Sequence, residues 1–344
     1  MSKLQRCSSD RKKIRLKAPL CYSDDTIPGI KRKRIGKYFN YYTPDGKLIT
    51  DKEEIARLNK IGLPPAYNNA WLCPSHMGHI QAIGYDEKGR KQYRYHTKFR
   101  AKQEAGKYNL CSEFGRSLTL IRARVEADLS KKGQLEKDTV VAAIVRLLDL
   151  GKVRVGNQDY EKDNNSFGAT TLHTKHAKTV GTTQLRLEYR GKSGQPQRMT
   201  IDDGSLVSIV KRCKELPGVY LFQYLDNDNK VREITPNDVN DYIRKSSGKN
   251  FTAKHFRTWG ANTVAFEALM NGSTGVKDMV EKVSLTLGNT PAISRKSYVH
   301  PVLISTAKEG NKELPKLPHK KTKYLSRIEL GLLKFLERPI NQSN

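Results

Sequence analysis

The stretch from Lys254 to Pro301 constrains this chain more than any other, because two helical periods there bracket three side chains of complementary chemistry. In the first period Phe256, Trp259, Thr263 and Phe266 recur at spacings of three and four, which makes one buried face and leaves Arg257 on an adjacent side. In the second, Val276, Met279, Val280, Val283 and Leu287 form an apolar stripe that stops at Gly288, a residue that tolerates the left-handed backbone of a helix end. Asn289-Thr290-Pro291 is then a turn, and Tyr298 follows beside a new helix. A guanidinium, an amide and a phenol suit the attack of a nucleophilic oxygen on a phosphate whose oxygens gain charge. Helices separate the three, so their meeting depends on the fold.

Charge is the second constraint. The chain of 344 residues holds 63 Lys plus Arg against 35 Asp plus Glu, a net charge of +28 and a pI near 9.8. Such a field points to a polyanion. Nucleic acid fits better than a membrane surface, because the basic residues are spread through aromatic-rich segments and membrane binders concentrate them on one amphipathic helix. No run of about 18 apolar residues occurs, so no membrane-spanning helix is expected. The first twenty residues are basic and lack an apolar signal core, which predicts a protein that stays inside a cell or a particle. Cys7, Cys21, Cys73, Cys111 and Cys213 are widely spaced with no C-x-x-C pair, which predicts free thiols in a reducing compartment and no metal site.

Along the chain the expected fold class is α+β, with a basic arm, a small β-rich domain and a larger, mostly helical domain. The arm, residues 1–30, contains Arg11-Lys12-Lys13-Ile14-Arg15-Leu16-Lys17 and adds phosphate affinity. Residues 31–100 hold short strands at Lys37 to Tyr42, Ala70 to Cys73 and His79 to Gly84. A helix lies among them, capped by Thr50 with Glu53 as the far side of a capping box, and ends before Gly62. A helix at Lys98 to about Arg124 serves as a connection, and residues 101–344 are expected to carry further helices from Asp138, around Leu206 to Cys213, after Thr235-Pro236, and at a basic C-terminal segment with Leu325, Ile328, Leu332 and Leu336. His173, Lys175 and His176 fall at a helix start, with a spacing unsuited to a metal.

Two further segments carry chemistry. Residues 184–201 form a hairpin, since Leu185, Leu187 and Tyr189 alternate with Arg186, Glu188 and Arg190 before Gly191-Lys192-Ser193-Gly194. A lysine at its tip, Lys192, can reach a leaving oxygen and protonate it. Arg90, Lys91, Gln92, Tyr93 and Tyr95 interleave cations, an amide and aromatics, a mixture that grips phosphates and lays groups against base edges.

Several separated motifs then agree in order: Arg-Ile-Gly-Lys at 34–37, Leu-Pro-Pro-Ala-Tyr at 63–67, Gly-Arg-Lys-Gln-Tyr at 89–93, Arg-Val-Gly-Asn at 154–157 and Phe-Gly-Ala-Thr-Thr-Leu at 167–172. Gly-Lys at 191–192, Lys-His-Phe-Arg-Thr-Trp-Gly at 254–260, Gly-Asn-Thr-Pro at 288–291 and Ser-Tyr-Val-His-Pro at 297–301 complete the set. With these the chain resembles the type IB DNA topoisomerases of the short bacterial, poxvirus and giant-virus kind, from about Lys31 to Pro301.

The resemblance implies that Tyr298 attacks a DNA phosphodiester to leave a 3′-phosphotyrosine, and that Arg154 and Arg257 clamp the non-bridging oxygens. It implies Lys192 as general acid, and Asn289 as a neutral donor where poxvirus relatives use histidine. Tyr160 and Lys162 would lie on the catalytic-domain surface near the cleavage site, and Gln92, Tyr93 and Tyr95 on a major-groove surface. The implied partner is double-stranded DNA, clamped by a monomer, with no cofactor, no ATP, no metal and no membrane. The implied setting is intracellular with DNA, in a nucleoid, or in a viral factory or virion. The tyrosine site-specific recombinases share this chemistry, but their second motif usually reads His-x-x-Arg, and here Lys254 to Arg257 reads Lys-x-x-Arg.

Overall fold

The computed structural model describes residues 19–273, 275–310 and 314–338. The basic run at 11–17 lies outside the described residues. The chain divides into two compact units, residues 1–107 and 108–344.

In the first unit, β1 (Ile30–Ile35), β2 (Tyr38–Tyr42), α1 (Lys52–Lys60), β3 (Asn68–Leu72), β4 (Ile80–Tyr85) and β5 (Lys91–Tyr95) build one antiparallel sheet in the order β2-β1-β3-β4-β5, with α1 beside it. The period-two pattern sorts its faces. Ile30, Tyr41, Leu72 and Ala82 pack with Leu58 of α1 and with Leu63. The Arg32 guanidinium points to the same side and donates to the carbonyls of Leu63, Pro64 and Tyr67 at 2.7, 2.8 and 3.1 Å, which fastens the loop after α1 to the sheet. Asp51 caps α1 by accepting from the Glu53 amide, where Thr50 was expected. A carboxylate one residue nearer the first turn reaches that orphan donor, and its charge also suits the positive end of the helix.

The second unit is built around one buried helix. After α2 (Thr97–Leu129), α3 (Lys137–Gly151) buries Val140, Val141, Ala142, Ala143, Ile144, Val145, Leu147 and Leu148, more than one face of a surface helix supplies. Packed on it are α5 (Gly204–Lys214), α6 (Pro236–Ser247) and α7 (Ala253–Met270). The short α4 (Gln158–Asn164) precedes a three-stranded antiparallel sheet of β6 (Ala177–Val180), β7 (Gln184–Arg190) and β8 (Pro196–Asp202). A small ladder of β9 (Gln223–Leu225) and β10 (Val231–Glu233), and then α8 (Val276–Leu287), α9 (Pro291–Ser297), α10 (Pro301–Lys308) and α11 (Arg327–Leu336), complete the order.

The last helix is tied inward by charge. Arg122 of α2 donates to Asp149 of α3 at 2.7 and 2.9 Å and to Glu329 of α11 at 2.8 and 3.0 Å. Trp259 Nε1 of α7 donates to the same Glu329 at 3.0 Å. Burial raises the Glu329 carboxyl, but Arg122 overrides it and holds it at about 2. Buried charges of this kind are tolerated when their donors and acceptors find partners.

Two further expectations are corrected. Residues 173–176 do not open an α-helix: Thr174–His176 is a single 3-10 turn leading into β6, and His173 Nε2 pairs with Glu161 Oε1 at 2.6 Å. Cys21 is disulfide-bonded, whereas Cys73, Cys111 and Cys213 are buried and form no disulfide.

Candidate active site

Arg257, expected beside the buried face of α7, is itself buried, with 5% of its surface exposed. Its Nη2 donates to the carbonyl of Leu287, the last residue of α8, at 3.0 Å, and its Nη1 donates to the carbonyl of Lys152. Lys152 ends α3 in the left-handed region at φ 52°, a conformation uncommon for a residue with a side chain. It is held there because its Nζ turns back to the Asp149 and Leu150 carbonyls at the end of α3. Gly260 lets it lie so close, since a Cβ there would stand 2.6 Å from Lys152 Cδ. The arginine therefore joins the ends of two helices.

Both ends lead directly to other candidates. Two residues past Lys152, half-buried Arg154 donates through Nη2 to Asn289 Oδ1 at 2.5 Å. Two residues past Leu287 is Asn289 itself, placed by Gly288, which closes α8 at φ 58°. Tyr298 ends α9, and its ring lies under the Arg257 guanidinium at 5.5 Å. Arg154, Arg257, Asn289 and Tyr298 are thus brought together. Burial raises the Tyr298 phenol's pKa, but the nearby Arg257, then Arg154 and the Asn289 amide, outweigh burial and bring it below the ordinary tyrosine range.

Arg257 Nε and Asn289 Nδ2 are both buried, and apart from the contacts by which Arg257 and Asn289 polarise the Tyr298 phenol neither atom completes a well-formed hydrogen bond among the described residues. Two such donors beside a polarised phenol make a receptor for an anion's oxygens, oriented before the anion arrives.

Lys192 is exposed, in the 3-10 turn between β7 and β8. The structure does not pack it into the cluster. Its neighbour Gly191 lines a solvent-open hollow of about 270 Å³ that Arg154, Arg257, Lys152 and Tyr189 also line.

One residue of this site escaped sequence reasoning. Asn262, fully buried, donates through Nδ2 to the carbonyls of Thr258 at 2.7 Å and Tyr298 at 3.0 Å, and its Oδ1 accepts from the His300 amide at 2.6 Å. It brackets the backbone on both sides of Val299. A signal was available: Asn262 lies three residues after Trp259 and four before Phe266, an amide on an otherwise apolar stripe.

The remaining candidates belong to other elements. Arg90, Lys91, Gln92, Tyr93 and Tyr95 belong to the first unit, with Arg90 and Gln92 held by Asp86 at 2.9 and 3.0 Å and Lys91 paired to Asp25. Tyr93 and Tyr95, each 41% exposed, stack at 5.9 Å. Lys162 is exposed on α4, and the Tyr160 side chain lies outside the described residues. Between them Glu161 turns to His173 and to the Tyr220 hydroxyl and so anchors α4.

Comparison with known proteins bears on this arrangement. Residues 96–313 match the family described as "Eukaryotic DNA topoisomerase I, catalytic core", and residues 38–86 match "Bacterial DNA topoisomerase IB, N-terminal domain". The chain is 33% identical over 289 residues to DNA topoisomerase 1B of Acanthamoeba polyphaga mimivirus, covering 79% of this chain and 85% of that one. It is 22% identical over 298 residues to DNA topoisomerase 1B of vaccinia virus strain Copenhagen, covering 78% and 89%. A crystal structure of the XerH site-specific recombinase bound to its difH substrate aligns at a TM-score of 0.37 and 15% identity, over 58% of this chain and 53% of that one, too distant to bear on the reading. With the catalytic-core family matched over more than half of the chain and a viral relative 33% identical over 79% of it, the chain belongs to the type IB DNA topoisomerases.

Proposed function

We propose that Tyr298 Oη attacks a phosphodiester of duplex DNA, losing its proton to water as the P–O5′ bond breaks. The tyrosine is left esterified to the 3′ phosphate. Lys192 hands a proton to the departing 5′ oxygen, and the reverse steps reseal the strand. The ester conserves the bond's energy, so neither ATP nor a metal takes part. Between cutting and resealing, the broken strand turns about the intact one and relaxes supercoils of either sign.

The observation that carries this reading is the pair of buried donors, Arg257 Nε and Asn289 Nδ2, beside the Tyr298 phenol. Together with Arg154 they supply planar, directional donors for the non-bridging oxygens of a five-coordinate phosphorus, which a point charge satisfies less well. A depressed phenol raises the fraction of nucleophile at neutral pH. Arg90, Lys91, Gln92, Tyr93 and Tyr95, with Tyr160 and Lys162, grip the duplex, and the protein works as a monomer clamped around it, inside the cell or virion that holds the DNA.

The test is relaxation of positively and negatively supercoiled plasmid in EDTA without nucleotide, with Tyr298→Phe alongside. Relaxation of both signs that vanishes in the variant is the expected result. Tight DNA binding without relaxation would reject this reading and bring strand exchange by a recombinase forward.

A further inference from the structure

Gln197 sits where the Lys192 hairpin meets the turn that carries Asn289. It lies in β8 opposite Tyr189 of β7, is half-buried, and lines the hollow shared with Arg154 and Arg257. Two glycines make room for it. A Cβ on Gly191 would stand 2.9 Å from Gln197 Cγ, and a Cβ on Gly288 would stand 2.7 Å from both terminal atoms of the Gln197 amide. Gly191 immediately precedes Lys192, and Gly288 immediately precedes Asn289. One side chain is therefore slotted between the neighbours of two active-site candidates that lie 97 residues apart (289 − 192).

The lever from Gln197 to Lys192 is short. The Gly191 amide donates to the Gln195 carbonyl at 2.7 Å and the Gly194 amide to the Gly191 carbonyl at 3.1 Å, which closes the turn around Lys192. Ser193 takes a left-handed conformation at φ 61° to complete it. A closed turn moves as a body with the strand end that bears it. The hydrogen bond from Gln197 Nε2 to the Pro196 carbonyl, at 3.2 Å, stays within that strand and does not account for the slot.

We propose that Gln197 is a positioning residue: seated between Gly191 and Gly288, it docks the Lys192 hairpin on the Asn289 turn and so sets where the lysine meets the leaving oxygen. It acts by packing, through backbone neighbours, and touches no reacting atom. The role rests on the assignment of Lys192 as proton donor.

The test measures single-turnover formation of the covalent protein–DNA adduct on two duplexes with the same mapped cleavage site. One carries an ordinary phosphodiester there, the other sulfur in place of the 5′ bridging oxygen, which leaves as a thiolate without a proton donor. Gln197→Ala is expected to slow cleavage about 10- to 100-fold on the oxygen substrate, the effect of a misplacement of about 1 Å. On the sulfur substrate the loss should be less than about 3-fold, because proton donation no longer matters. Gln197→Met, unbranched and of similar volume, keeps the fit and stays within about 3-fold of wild type on both. Equal slowing of Gln197→Ala on the two substrates, or no slowing on either, overturns the proposal. Lys192→Ala in parallel keeps the two readings apart. If its defect persists on sulfur, proton donation by Lys192 is wrong and the role of Gln197 falls with it; if sulfur rescues Lys192→Ala and not Gln197→Ala, only the Gln197 role falls.

Discussion

Replacing Asn262 by alanine removes both arms of the bracket around Tyr298. The lost contacts are three donated bonds, to the Thr258 and Tyr298 carbonyls at 2.7 and 3.0 Å and to Cys111 Sγ at 3.6 Å, and one accepted bond from the His300 amide at 2.6 Å. Each made bond is worth about 1 kcal/mol net, and a buried amide left without an acceptor costs about 1–3 kcal/mol. The site is fully buried, so water does not replace the missing partner. A destabilisation of about 2–4 kcal/mol follows, visible as a lower urea midpoint with an unchanged slope. The rate effect is separate: the freed Tyr298 backbone lets the phenol drift from Arg257, and about 1 Å of drift slows cleavage up to about 100-fold. Single-turnover adduct formation, measured where the variant is still fully folded, reads that term alone. A variant that unfolds early yet cleaves within about 2-fold of wild type would refute the positioning argument and leave Asn262 a purely structural residue.

Arg257→Lys keeps the charge but cannot reach the Lys152 and Leu287 carbonyls while offering a third donor, so cleavage in the adduct assay should fall by about 10²-fold or more with DNA affinity unchanged. Arg122→Ala strands Asp149 and Glu329 as buried carboxylates and should cost about 3–5 kcal/mol in urea unfolding. Because the folded Glu329 carboxyl sits at about 2 against an ordinary 4.5, its contribution is present above pH 4.5 and lost as pH falls toward 2, a decline that Arg122→Ala should flatten. His300, pushed down to about 4 by burial from an ordinary 6.5, contributes stability that is full above pH 6.5 and lost as pH falls toward 4. His300→Asn, which keeps an acceptor for the Val302 amide at the start of α10, should reduce the urea-midpoint change across that window.

What the sequence made legible was periodic or conformationally unambiguous. The stripe ending at Gly288 became α8 with a left-handed cap, the alternation at Leu185 to Arg190 became β7, and Thr235-Pro236 capped α6 with a capping box. Short elements were lost, because β9 and β10 have three residues each, too few to establish a period. The His173 turn misled because Thr174 offers a capping hydroxyl that suits a helix start, whereas the pairing of His173 with Glu161 is set by tertiary packing. Arg257 is the clearest case. Its sequence position puts it beside a buried face, but its burial follows from carbonyls that α3 and α8 present, and no local pattern announces them. Asn262 stands out as an amide on a buried helix face, but its partners, 36 and 38 residues away, cannot be read from that face.

The tie between Glu329 and Trp259 also has a temporal side. Trp259 is two residues from Arg257, while Glu329 lies 31 residues beyond Tyr298 (329 − 298). A ribosome therefore releases the nucleophile before the carboxylate that braces the arginine's helix. During synthesis, the cutting residue exists before the last brace of the site that aims it.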